Sequence, residues 1–285
     1  MRSFFDRSAP VLTPADLVLA LTGAKPEALL LPQLAVIVFS PADLGRLVEE
    51  TAAEALPEWR PFRRLYRPRG KETVLVRSPI GGPALAALVE ELAAFGVRDF
   101  CLLGYCGGIG AGVSVGDIIL ATAAVREEGV SGHYLESEDE LVWSEWAARW
   151  ELPSKNAGIL PGIVWTCDAL YRETAEKVSR YAARGVLGVE METASFYAVC
   201  SRKGLRGTAF LVVSDLLRRE AVASLVEGPT LAPVEPFFEG EAPRASLVEG
   251  ATLAPVIAWQ SGFKSVELQK GVRRLSAYIR KEVLA

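Results

Sequence analysis

Along the chain, short unbroken apolar runs alternate with stretches whose apolar residues recur every three or four positions. Leu34–Phe39 (LAVIVF), Phe100–Leu103, Asp117–Val125 and Thr208–Val213 (TAFLVV) are of the first kind, and such runs predict strands buried on both faces. Glu72–Ser78 and Gly162–Asp168 are predicted strands as well, the second ending in a polar tip. A lead-in over residues 1–33 carries a helix start at Thr13-Pro14-Ala15-Asp16. Further helices are expected from Ser40 to Leu56, from the Ile80-Gly81-Gly82-Pro83 turn to Phe95, and over Trp143–Trp150. Tyr171–Arg184, Thr193–Lys203 and a basic-faced closing helix, Val266–Val283, complete the set. Strands alternating with helices predict a single-domain α/β protein, a three-layer fold with a central mixed β-sheet flanked by helices. The domain is expected over 34–285, with an insert at about 218–258, where ASLVEGPTLAPV (Ala223–Val234) recurs as ASLVEGATLAPV (Ala245–Val256). Two copies in an otherwise non-repetitive chain read as a local duplication rather than a solenoid.

Several polar features interrupt this pattern. Gly104, Gly107, Gly108, Gly110 and Gly112 follow the Phe100 strand. They predict a loop whose main-chain N–H groups suit an anion, or else a tight connection between two buried strands. Arg46 follows the Leu34–Phe39 strand at a helix start, where an anion would be favoured. Glu190-Met191-Glu192 lies between an apolar strand and an apolar helix, where carboxylates are badly placed for solvation alone. A hydroxylated ligand would partner them, although Glu192 could instead cap the helix, which would leave Glu190 unexplained. Asp215 follows the Thr208–Val213 strand, at the edge where open α/β sheets bind ligands, or it caps what comes next. The polar run after Val125 is predicted as a loop and holds the only histidine, His133, a surface imidazole or a ligand to a sugar hydroxyl.

Composition narrows the function classes. The 285 residues are half apolar and 23% charged, with a net charge of -4, so there is no whole-chain footprint for nucleic acid. The basic block Arg60–Lys71 suits a small anion or a subunit contact better. One histidine excludes multi-histidine zinc sites, and no metal site is predicted. The four cysteines read as reduced core residues of a cytoplasmic protein. No apolar stretch reaches membrane-spanning length, so no membrane partner is expected. Gly112-Val-Ser114-Val-Gly116 matches the esterase elbow G-x-S-x-G, but a glycine run precedes it and a strand follows, opposite to what an elbow needs.

Four stretches in order, IGGP (Ile80–Pro83), GYCGGI with VGD (Gly104–Ile109, Val115–Asp117), VEMETA (Val189–Ala194) and VVSD (Val212–Asp215), resemble the nucleoside phosphorylase family. That family includes the hexameric purine nucleoside, methylthioadenosine and uridine phosphorylases. The resemblance implies cleavage of a ribonucleoside by phosphate, giving base and ribose-1-phosphate without a cofactor. It implies that Glu190, Met191, Glu192 and His133 hold the ribose, and that Asp215 protonates the leaving base, with Thr166 and Asp168 also at the base. Arg46, Gly104 and Tyr105 would hold phosphate, together with Arg60, which stands where the family supplies an arginine from a neighbouring subunit. A homo-oligomer, a dimer or a trimer of dimers, follows from that last role. The family's phosphate-site Arg and Ser/Thr are Leu102 and Tyr105 here, and the glycine of its PGDP loop is Ala42. These departures keep a nucleoside hydrolase and a silent nucleoside-binding protein as alternatives. The absence of the uridine enzymes' Gln and Arg after Tyr171 favours a purine-type base, whereas the HYL and IGGP stretches lean toward uridine.

Overall fold

Local sequence punctuation sets most element ends in the computed structural model, which describes residues 4–147, 159–219 and 257–283. Helix α1 (Pro14–Thr22) starts at Thr13, whose side chain accepts the Asp16 N–H, and ends on left-handed Gly23. Strand β1 (Leu34–Val38) leads through Ser40, whose hydroxyl accepts the Ala42 and Asp43 N–H groups, into α2 (Pro41–Glu50). The helix expected to reach Leu56 therefore stops six residues early. Thr51 folds its N–H back onto the helix, Ala52 takes φ 47°, and a short strand β2 (Glu54–Ala55) follows. Strands β3 (Leu65–Arg67) and β4 (Thr73–Arg77) precede α3 (Gly82–Ala94), which ends at Phe95 before left-handed Gly96.

The glycine-rich stretch is a strand rather than a loop over most of its length: β5 runs from Asp99 to Gly108. Its glycines serve close packing. A Cβ on Gly107 would stand 2.7 Å from Leu217 Cδ1, and one on Gly108 2.7 Å from Leu216 Cδ2. Strand β6 (Ile118–Glu127) continues beyond its expected end, and the predicted loop after it holds a short helix α4 (Ser131–Tyr134) and strand β7 (Leu141–Trp143). Trp143, expected to open a helix, pairs in β7 instead, and the end of that predicted helix lies outside the described residues. Next come β8 (Ile159–Cys167), α5 (Ala175–Ala183), β9 (Val186–Glu190) and α6 (Thr193–Lys203). Strand β10 (Arg206–Arg219) carries on through Asp215 and pairs antiparallel with β11 (Ile257–Ser261). The duplicated copies fall on residues 220–256, outside the described residues. Helix α7 (Val266–Tyr278) passes into a π turn at Ile279–Val283.

The sheet is mixed and runs β11-β10-β6-β8-β9-β5-β1-β4-β3-β2, with β7 on β6. Because β10 also pairs with β5, five strands (β5, β10, β6, β8 and β9) close into a ring from which β1–β4 extend. Helices α1, α3 and α6 cover one face, where Val18, Leu88 and Phe196 join the main core, and α2 and α7 cover the other around Leu47 and Leu275. Helix α5 closes a third cluster against Trp165.

Candidate active site

A cavity of about 650 Å³ opens beside the ring, walled by β5 (Tyr105, Cys106, Gly107), the β9–α6 junction (Val189, Glu190, Met191, Glu192) and β10 (Ser214, Asp215, Leu217). Phe39, Glu173 and the exposed apolar residues Ile80, Leu170, Tyr171 and Phe263 complete its lining. This volume suits a small ligand, and the apolar walls with a few convergent polar groups are the ordinary make-up of such a site.

Of the two glutamates at the β9–α6 junction, both expected at a ribose, the one whose side chain caps the helix is Glu190 rather than the alternative, Glu192. Glu190 Oε2 accepts the N–H groups of Glu192 (2.8 Å) and Thr193 (2.7 Å), and its Oε1 accepts the Thr166 hydroxyl (2.5 Å). Glu192 turns its buried carboxyl toward α3, where Oε1 accepts the Gly81 N–H at 2.5 Å. Burial raises the pKa of both. For Glu192 the neighbouring Glu190 charge adds to burial, and its pKa reaches about 8. Glu190 therefore organises the site through its hydrogen bonds, while Glu192 keeps acceptor capacity for a ligand.

Asp215 sits at a bulge in β10, where the pairing with β5 skips from Val213 to Asp215. It is not past the strand end; the bulge is what re-aims a mid-strand side chain. Its Oδ1 accepts the Ser214 hydroxyl at 2.7 Å. A Cβ at Gly107 would meet Asp215 Oδ2 at 3.4 Å, an ordinary contact, while its close approach is to Leu217 Cδ1 at 2.7 Å. Glu173, which no motif marked, shares the cavity. It follows the turn Leu170–Arg172, in a segment expected to be helical from Tyr171, and that helix begins only at Ala175. Burial, followed by the Asp215 charge and opposed by Lys177, raises its pKa to about 7. Cys106 is held as a neutral thiol by burial and by the charges of Glu190 and Asp215.

The structure brings Tyr105, Glu190, Met191, Glu192 and Asp215 together and places the other expected site residues elsewhere. Thr166 is fully buried, and its hydroxyl is used between Glu190 and the Ala194 N–H (2.9 Å), so it has no face for a base. Asp168 accepts the Gly129 N–H (2.8 Å), and His133 stacks on Phe4 with ring centroids 5.0 Å apart. Both line a separate open groove beside the N-terminal segment. Gly104 lies in β5, pairs with Leu211 of β10 and lines a small void with Asp43 and Tyr105. There the Tyr105 hydroxyl donates to Asp43 Oδ2 at 2.5 Å, while Arg46 Nη1 stands 3.4 Å from Asp43 Oδ1. Burial and Asp43 together keep the Tyr105 phenol protonated. Arg60 is exposed at the turn after Pro57–Trp59, outside the lining. Leu102, in place of the family's arginine, is fully buried in the main core.

A family model described as the Phosphorylase superfamily matches residues 33–244. A guanosine phosphorylase of Halorubrum lacusprofundi is 36% identical over 152 residues, 52% of this chain and 63% of that protein, so the chain spans less than two thirds of that relative. A uridine phosphorylase of Haemophilus influenzae is 31% identical over 61% of this chain and 76% of its own length. A purine nucleoside phosphorylase DeoD-type of Bacillus velezensis is 30% identical over 64% and 83%. Among solved structures, a uridine phosphorylase of Vibrio fischeri superposes with a TM-score of 0.58 at 26% identity, covering 68% of this chain and 82% of that one.

Proposed function

The chain belongs to the Phosphorylase superfamily, and on that premise we propose that it cleaves the N-glycosidic bond of a ribonucleoside, with a purine-type base favoured and phosphate as acceptor. The products are the free base and ribose-1-phosphate, with no cofactor. The observation that carries this reading is the single cavity holding Met191 and Glu192 in one wall and Ser214–Asp215 in another. Ribose would lie on Met191, with its hydroxyls donating to Glu192. That bond strengthens as positive charge grows on the sugar, so it lowers the barrier more than it tightens ground-state binding. Asp215 would face the base and assist its departure. Arg46, Tyr105 and Gly104 would hold the phosphate, and Arg60 would complete the clamp from a neighbouring copy in a homo-oligomer. The four free, buried cysteines support a cytoplasmic setting. Among the described residues no helix is long and apolar enough to cross a membrane.

A second reading has water as the acceptor. Among the described residues, the cavity lining contains Glu173, Glu190, Glu192 and Asp215 but no Lys or Arg, and Tyr105 already donates to Asp43. One experiment decides: base release from inosine, guanosine, adenosine and uridine, with and without phosphate, with the sugar product identified. Ribose-1-phosphate formed only with phosphate is the expected result. Free ribose regardless of phosphate means hydrolysis, and no release from any of them removes the enzymatic reading. The Asp215→Ala variant should lose turnover by about 10²-fold or more while still binding nucleoside; equal turnover would remove its role.

A further inference from the structure

We propose that Glu173 is a further catalytic residue of this cavity: its carboxylic acid donates the proton that the departing base takes up, with the Asp215 carboxyl beside it in the same cavity. The inference rests on the glycosidic-cleavage reading above. Three observations carry it. Glu173 and Asp215 line the same cavity. The Glu173 side chain, half-buried, has no hydrogen bond or ion pair with any described residue, so its carboxyl is available to a ligand. Asp215, by contrast, has its Oδ1 engaged, accepting the Ser214 hydroxyl at 2.7 Å. Two carboxyl groups in one site with unlike surroundings divide into an acid and a base.

The surrounding charges agree. Asp215 on β10 faces Glu173 with negative charge, which favours the acid form, and Lys177 on α5 opposes this only in part. The other titratable groups of the lining are Glu190 and Glu192 at the β9–α6 junction, Tyr105 and Cys106 on β5, and Tyr171 beside Glu173. Among the described residues of the lining none is cationic. Burial and the Asp215 charge raise the Glu173 pKa to about 7, so the acid form is populated at neutral pH and is lost as pH rises above it.

The step balances. The C1′–N bond breaks and its electron pair stays on the base, while the Glu173 proton moves onto a ring nitrogen of the base and leaves a carboxylate. A C1′–O bond forms to the acceptor. Hydrogen phosphate or water loses one proton per turnover, which restores the Glu173 acid.

The test compares wild type, Glu173→Gln and Asp215→Asn on inosine and on 7-methylguanosine, whose cationic base leaves without taking a proton. Glu173→Gln should lower kcat on inosine by about 10²-fold or more, with KM changed only a few-fold. It should also abolish the fall of kcat above neutral pH, and 7-methylguanosine cleavage should stay within about threefold of wild type, since the proton is no longer needed. Equal slowing of both substrates would overturn the proposal, because it would mark a merely structural role. Wild-type kcat in Glu173→Gln, with Asp215→Asn inactive on inosine, would also overturn it but leave the cleavage reading standing. No base release by wild type would overturn both.

Discussion

Replacing Glu192 with glutamine tests whether its buried carboxyl stores an electrostatic penalty. Glu192 is 7% exposed and accepts the Gly81 N–H, yet burial and the adjacent Glu190 raise its pKa from 4.5 to about 8. A carboxyl that holds its proton more tightly when folded contributes stability that is complete below pH 4.5 and is lost as pH rises through about 8. The slope is about 1.4 kcal/mol per pH unit between those limits, so the whole window amounts to a few kcal/mol. Glutamine keeps the shape and removes the titration. Urea denaturation of wild type and Glu192→Gln, in half-unit steps from about pH 5 to pH 9, reads the difference directly. The variant should gain on wild type steadily up to about pH 8 and then run parallel. A saturating nucleoside, whose ribose hydroxyls favour the ionised form, should narrow the gap by stabilising wild type more at high pH. A difference that stays constant with pH would refute the reasoning, because it would mean that Glu192 is ionised in the folded, ligand-free protein across the whole range.

Two further substitutions probe the frame around the carboxyl groups. Thr166→Val removes a fully buried hydroxyl that bonds both Glu190 and the Ala194 N–H. It should cost about 2–4 kcal/mol by denaturant titration; a loss under about 1 kcal/mol would show that Glu190 and α6 do not depend on it. Gly107→Ala would put a methyl group 2.7 Å from Leu217 Cδ1 and 3.4 Å from Asp215 Oδ2. A stability loss of about 1–3 kcal/mol is expected, with nucleoside binding by calorimetry weakened several-fold. Unchanged affinity would place the ligand away from this wall.

The legible parts of the fold were those carried by local pattern. Unbroken apolar runs gave β1, β6 and the first half of β10, and Ser40 and Gly96 marked helix ends. What the pattern hid was tertiary in origin. Glycines at 104, 107 and 108 look like loop residues, yet a Cβ would stand 2.7 Å from a leucine side chain at 107 and 108 and 3.0 Å from one at 104. Asp215 resembles a residue just past a strand because the bulge that aims it interrupts the apolar alternation, while pairing continues to Arg219. In the site, residues of the VEMETA and VVSD stretches line two walls of the cavity. Thr166 could not be separated from a ligand contact by sequence, since its partners Glu190 and Ala194 lie 24 and 28 residues away. Glu173 left no mark because its significance comes only from sharing a cavity with Asp215.

The ring of strands is unevenly joined. Ten residue pairs tie β10 to β5, whereas β9 meets β5 at only two, Gly107↔Val189 and Gly108↔Gly188. Those strands approach so closely only because glycine faces the joint: a Cβ on Gly188 would lie 2.9 Å from Cys106 Sγ. The joint is lengthened by the Ile109 and Gly110 N–H groups, both of which donate to the Leu187 carbonyl. A hoop yields at its weakest clasp, and this clasp borders the cavity on both sides, through Gly107 and Val189. A ligand lying across it would act as a removable pin, coupling occupancy of the site to the tightness of the whole barrel. Amides of Ile109 and Gly110 would then exchange with solvent more slowly when the pin is in place.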